Sequence, residues 1–106
     1  MITVKPNERV SQHHEDVVRY ELALEQWDGD LGPSPRYDKV EIACAADLAT
    51  RGDFKVDMEK AAPGQKAHVI VVQGGLPGRR YEIVRVVTTK GATPERRRRS
   101  FVIKVT

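Results

Sequence analysis

The sequence has little cysteine, little helical periodicity and no long apolar run, and each shortage excludes a class of protein. Cys44 is the single cysteine in 106 residues, so no intrachain disulfide can form. That argues against an extracellular domain stapled by disulfides and fits folding in a reducing cytosol. Its neighbours Val40, Ile42, Ala43 and Ala45 mark it as a buried packing residue, without the basic surroundings that activate a thiol. No segment approaches the roughly 18 apolar residues that span a bilayer. The opening Met-Ile-Thr-Val-Lys-Pro lacks the basic stretch and apolar core of a signal peptide, so secretion by the usual route is not expected.

Catalytic constellations are missing too. No serine, cysteine or carboxylate pair stands with recognisable partners. A chain this short has little room for both a core and a pocket of several hundred Å³. An enzyme is not expected, and neither is a cofactor. His13, His14 and His68 come with no Cys–His spacing, and adjacent histidines on a strand point to opposite faces. They read as surface histidines, and no metal site is assigned.

What is present is β-sheet alternation. Apolar residues make up 40% and charged residues 31%, as in a folded single domain. Met1 to Val4 reads as a short strand stopped by Pro6-Asn7. Val18 to Glu25 places Val18, Tyr20, Leu22 and Leu24 on one face and Arg19, Glu21 and Glu25 on the other. Asp28 to Pro35 is dense in turn formers and reads as a loop. Lys39 to Ala45 alternates again, with Val40, Ile42 and Cys44 inward, and Phe54 to Met58 does the same. Asp47 to Thr50 suits a helical turn or more strand, and Pro63-Gly64 a turn.

His68 to Val72 is nearly all apolar and β-branched, which suits a central strand. Tyr81 to Thr89 and the arginine-rich strand ending at Thr106 form a closing hairpin across Lys90-Gly91. Together these predict an all-β fold, an immunoglobulin-like antiparallel sandwich of about seven strands in one domain spanning residues 1–106.

Glycines Gly74, Gly75 and Gly78 superficially suggest a phosphate loop. Such loops lead into a helix, whereas this one leads into the Tyr81 strand, so the glycines read as turn residues. Arg51-Gly52-Asp53 reads likewise as a turn before Phe54.

The order Gly74-Gly75, Gly78, Tyr81, Thr88-Thr89, Gly91, Glu95-Arg96 and a closing Phe-Val-Ile-Lys-Val resembles the small immunoglobulin-like fibre–tail adaptor proteins of tailed bacteriophages. The likeness extends to Val17-Val18, Tyr20 and Trp27. The middle strand, Val40-Glu41-Ile42-Ala43-Cys44, departs from the usual Trp, Ser and Thr, and four consecutive arginines exceed the family's basic content. The resemblance implies a non-enzymatic virion protein, made in the bacterial cytoplasm and docking tail, neck or fibre components, most simply in a homo-oligomeric ring. Capsid decoration is the alternative that shares this fold.

Charge points to where a partner would sit. Net charge is +3, with acids early in the chain and Arg79, Arg80, Arg85 and Arg96 to Arg99 late. This dipolar layout suits an acidic partner. Arg79, Arg80, Arg96, Arg97, Arg98 and Arg99 are therefore the candidate interface. Trp27 joins them as a possible hot spot, against a reading as a core anchor. The competing reading of the arginines is a solvated strand end paired with Glu82 or Glu95. A small nucleic-acid-binding β-domain using this arginine cluster is a further alternative, disfavoured because this end brings only Phe101 for stacking, and a membrane partner is not expected.

Overall fold

The computed structural model describes residues 1–31, 36–45, 52–59 and 66–106. Among them are eight strands: β1 (Ile2–Thr3), β2 (Arg9–Gln12), β3 (Val17–Ala23), β4 (Tyr37–Cys44), β5 (Lys55–Met58), β6 (Ala67–Gln73), β7 (Arg80–Thr89) and β8 (Arg96–Val105). The expected turns at Asp47 to Thr50 and at Pro63-Gly64, the stretch Gly32 to Pro35, and Arg51 lie outside the described residues.

The first sheet has the order β1-β3-β6-β5 and the second β2-β8-β7-β4. The fold is all-β, as alternation predicts. It is not antiparallel throughout: β1 runs parallel to β3, and β2 runs parallel to β8. Both exceptions come from the N-terminal segment, which divides between the sheets after Pro6-Asn7. Asn7 takes a positive φ of 64° there, and its N–H donates to the Ser100 carbonyl at 2.7 Å.

Inward-facing residues of both sheets form one cluster. Tyr20, Leu22, Ile70 and Val72 come from the first sheet, and Tyr81, Ile83, Phe101, Ile103 and Val105 from the second. Cys44 is half-buried and packs against this cluster. Polar atoms within it are matched. Gln12 on β2 donates its amide to the Val72 carbonyl at 2.8 Å and accepts from the Tyr20 hydroxyl at 2.9 Å, tying the two sheets together. Burial, reinforced by the nearby Asp16 charge, pushes the Tyr20 phenol up to about 12.

The chain departs from the expected strand at Leu24. Leu24–Asp28 is a short helix, α1, followed by a 3-10 turn at Gly29–Leu31. Leu, Glu and Gln favour helix, and the spacing i, i+3, i+4 turns Leu24, Trp27 and Asp28 to the interior. Trp27 is 1% exposed, and its indole N–H donates to the Val4 carbonyl at 2.9 Å. Its ring meets Phe101 edge-on at 6.2 Å. Trp27 is thus a core anchor, and its place among the interface candidates is withdrawn.

The final hairpin connection is longer than Lys90-Gly91 alone. Residues 90–95 join β7 to β8, closed by Thr89 N–H to the Glu95 carbonyl and Glu95 N–H to the Thr89 hydroxyl, each at 2.9 Å.

Candidate functional site

Alternation along β8 divides the arginine run that the sequence presents as one block. Arg97 and Arg99 share the inward side with Phe101, whereas Arg96 and Arg98 point out with Ser100. The inward pair is architectural. Arg97 donates to Asp30 and to Glu95, and its guanidinium, raised above its ordinary value chiefly by Asp30, holds that carboxyl below the usual range. Arg99 Nε donates to the Trp27 carbonyl at 2.7 Å, where the end of α1 leaves an acceptor free. Arg98 pairs with Glu82 at 3.1 Å across the outer face, one of the pairings that sequence reading weighed. Arg96 has no partner among the described residues.

Arg85 stands opposite Arg99 in the ladder and also faces inward. Only 1% of it is exposed, and it pairs with Asp28, which is fully buried at the end of α1. The same Asp28 oxygen accepts from the Tyr37 hydroxyl, while the Arg85 guanidinium lies 5.1 Å from the Trp27 ring centre. Asp28 Oδ1 and Arg85 Nε have no hydrogen-bond partner among the described residues. This buried ionic cluster replaces two expectations, an acidic loop at Asp28 and a surface histidine at position 68. His68 is buried, meets the Tyr37 ring at a tilt of 56° with centres 5.4 Å apart, and accepts from Arg85 Nη1 at 3.4 Å.

Arginine can only donate, so Nδ1 of His68 must keep its lone pair and the ring is neutral. Burial first, and then the Arg85 charge, lower its pKa from 6.5 to about 4. Between those values the unfolded chain binds a proton that the folded chain refuses. Stability is therefore expected to fall as pH drops from about 6.5 towards 4, by a few kcal/mol at most. His68→Gln should flatten the upper part of that slope in urea unfolding at stepped pH.

The outer face of the second sheet is where unmatched charge collects. Among the described residues, Glu41 on this face is engaged by Lys39 at 3.4 Å and Glu82 by Arg98. Arg9, Arg80, Arg96 and Lys104 share the face without an acidic partner among the described residues. Arg79 is also exposed, at the entry to β7. Arg80 is opposite Lys104, and Arg96 is opposite Thr88, so the two expected arginine groups sit at opposite ends of the β7–β8 hairpin. At about 3.4 Å per residue that is roughly 27 Å.

Sequence reading missed Arg9, Ser11 and Lys104. Lys104 was legible from parity with Ser100. Arg9 and Ser11 were not, because the four residues of β2 carry one aliphatic side chain.

No protein-family model and no curated protein matches the chain. Among solved structures, the solution structure of Amebosin is similar over 99% of this chain and 97% of that one, at 16% identity. The TM-score is 0.47, too low to carry an argument.

The other features offer little chemistry. Gly74, Gly75 and Gly78 all have positive φ and turn the chain from β6 into β7, as a turn requires. Asp53 accepts the Gly75 N–H at 2.8 Å, which gives the Gly52-Asp53 turn an architectural role. His13 and His14 lie in a turn, not on a strand, with ring centres 4.3 Å apart. No cluster of three or more potential metal ligands occurs among the described residues, and no described helix is long and apolar enough to cross a membrane.

Proposed function

We propose that the chain is a non-catalytic structural protein of a tailed-phage or prophage-derived particle, docking tail, neck or fibre components by shape and charge. The observation that carries this reading is the unmatched positive charge on an open sheet face. Arg9, Arg80, Arg96 and Lys104 share this face with the half-buried Val86 and Val102, with no catalytic group among them. A flat basic face with an apolar centre suits recognition of an acidic protein surface.

Two further points support it. Residue order through the Gly74 turn and the last hairpin resembles the adaptor family. Setting β2 aside, the strand orders β1-β3-β6-β5 and β8-β7-β4 follow the two sheets of an immunoglobulin constant-type sandwich. A ring of copies using head-to-tail contacts would present the basic face repeatedly around the particle axis.

The test is composition. Particles purified from a producing strain should contain the chain in fixed stoichiometry by mass spectrometry, and deleting its gene should leave them lacking fibres or a joined tail. Absence of the chain from particles that assemble normally would sink the proposal.

A further inference from the structure

One end of the outer face carries an arrangement that stability alone disfavours. Arg80 on β7 and Lys104 on β8 are direct cross-strand neighbours, and like charges so placed oppose pairing. Ser11 on β2 is opposite Lys104, and Arg9 is opposite Val102. These residues line a cleft of about 160 Å³, with Val10 and Val102 as its apolar part. No carboxylate lines it among the described residues. Glu82, the nearest acid on this face of β7, is turned to Arg98 and Ser100.

The charges lie on three adjacent strands. At about 4.8 Å between strands they span roughly 10 Å. Carboxylates at alternate positions of an extended chain are about 7 Å apart and project from one side, so two of them fit between three such cations. Ser11 adds a neutral donor, and Val102 offers a surface for the methylene stems.

The geometry points to this cleft as the docking site for an acidic extended segment of a partner protein, read through two carboxylates. Its partner being another virion protein rests on the function proposed above; the binding itself does not. A phosphate backbone fits less well. Glu82, Val84 and Val86 interrupt the positive charge between Arg80 and Arg96, and no aromatic side chain lies on this face among the described residues to stack a base.

The experiment uses the full chain and a fluorescein-labelled Glu-Val-Glu-Val-Glu peptide, followed by anisotropy at low and physiological salt. Wild type should bind it, more weakly as salt rises, and should not bind the Lys-Val-Lys-Val-Lys counterpart. Arg80→Glu should weaken binding about tenfold. The same change places opposite charges across the ladder and should raise the urea midpoint. Lys90→Glu, exposed in the connection at the far end of the hairpin, should leave binding within about twofold.

Unchanged binding in Arg80→Glu overturns the inference, as does an equal loss in Lys90→Glu. A lower urea midpoint in Arg80→Glu would make Arg80 architectural and would also overturn it. Tighter binding of a single-stranded oligonucleotide than of the peptide would reassign the face to nucleic acid. Peptide binding by a chain absent from particles removes the proposed function alone, whereas a particle protein without peptide affinity removes this inference alone.

Discussion

Replacing Asp28 by alanine is expected to destabilise the domain by about 3–5 kcal/mol, the usual consequence of stripping one partner from a buried ion pair. Arg85 has nowhere to go. It is 1% exposed, and its cross-strand neighbour is another arginine, Arg99. Without Asp28 the guanidinium keeps, among the described residues, a long contact to His68 and the face of Trp27. Tyr37 loses its acceptor as well, although burial, the largest cause of its raised pKa, remains and keeps the hydroxyl protonated.

Against a total stability of about 5–15 kcal/mol, that loss removes much of the margin. The double variant Asp28→Ala/Arg85→Met should recover most of it, because the cost comes from an orphaned charge rather than from the absence of a bond. Urea unfolding with an unchanged m-value checks both variants. A loss below about 1 kcal/mol in Asp28→Ala would show that water reaches Arg85 and that the pair is not sealed.

This cluster also shows how far alternation could be read. Tyr81, Ile83, Arg85 and Val87 share parity, so the inward direction of Arg85 was present in the sequence. The charge of the side chain hid it, since arginine is seldom buried unless paired. Its partner was harder to find. Asp28 follows a strand, precedes Gly29, and reads as the first residue of a loop until α1 exists to turn it inward.

That helix is five residues long and is held by packing, with Leu24, Trp27 and Asp28 buried, which no local pattern announces. By contrast β3, β6, β7 and β8 were legible because seven to ten residues of alternation or of β-branched side chains leave little choice. The same parity divides Arg96 and Arg98 from Arg97 and Arg99. Only the outward two remain available to a partner, and the cleft at Arg80 and Lys104 depends on pairing with β2, whose four residues carry almost no signal.

The turn that delivers Arg80 to the cleft gives the second large effect. Gly74→Ala is expected to cost about 3 kcal/mol, and Gly78→Ala, three residues before the next strand turns inward at Tyr81, only about 1. Both glycines have positive φ, 76° and 86°, so each variant incurs the left-handed penalty. They differ in surroundings. A methyl group at Gly74 would stand 2.5 Å from the carbonyl oxygen of Asp53 and 2.9 Å from its carbon, backbone atoms that cannot swing aside. At Gly78 nothing lies within 4 Å.

Gly75 falls between them. Its added methyl would meet Val105 at 2.8 Å and the stacked rings of Phe54 and Tyr81 at 3.0 and 3.2 Å, side chains that can shift only by loosening a stack 4.1 Å apart. Thermal unfolding of the three alanine variants should therefore rank Gly74 below Gly75 and Gly75 below Gly78. Displacing Asp53 also threatens its bond to the Gly75 N–H, so Gly74→Ala should loosen the entry to β7 and weaken acidic-peptide binding along with stability. Equal losses at all three positions would mean that φ alone sets the cost and that the close approach of Asp53 relaxes freely.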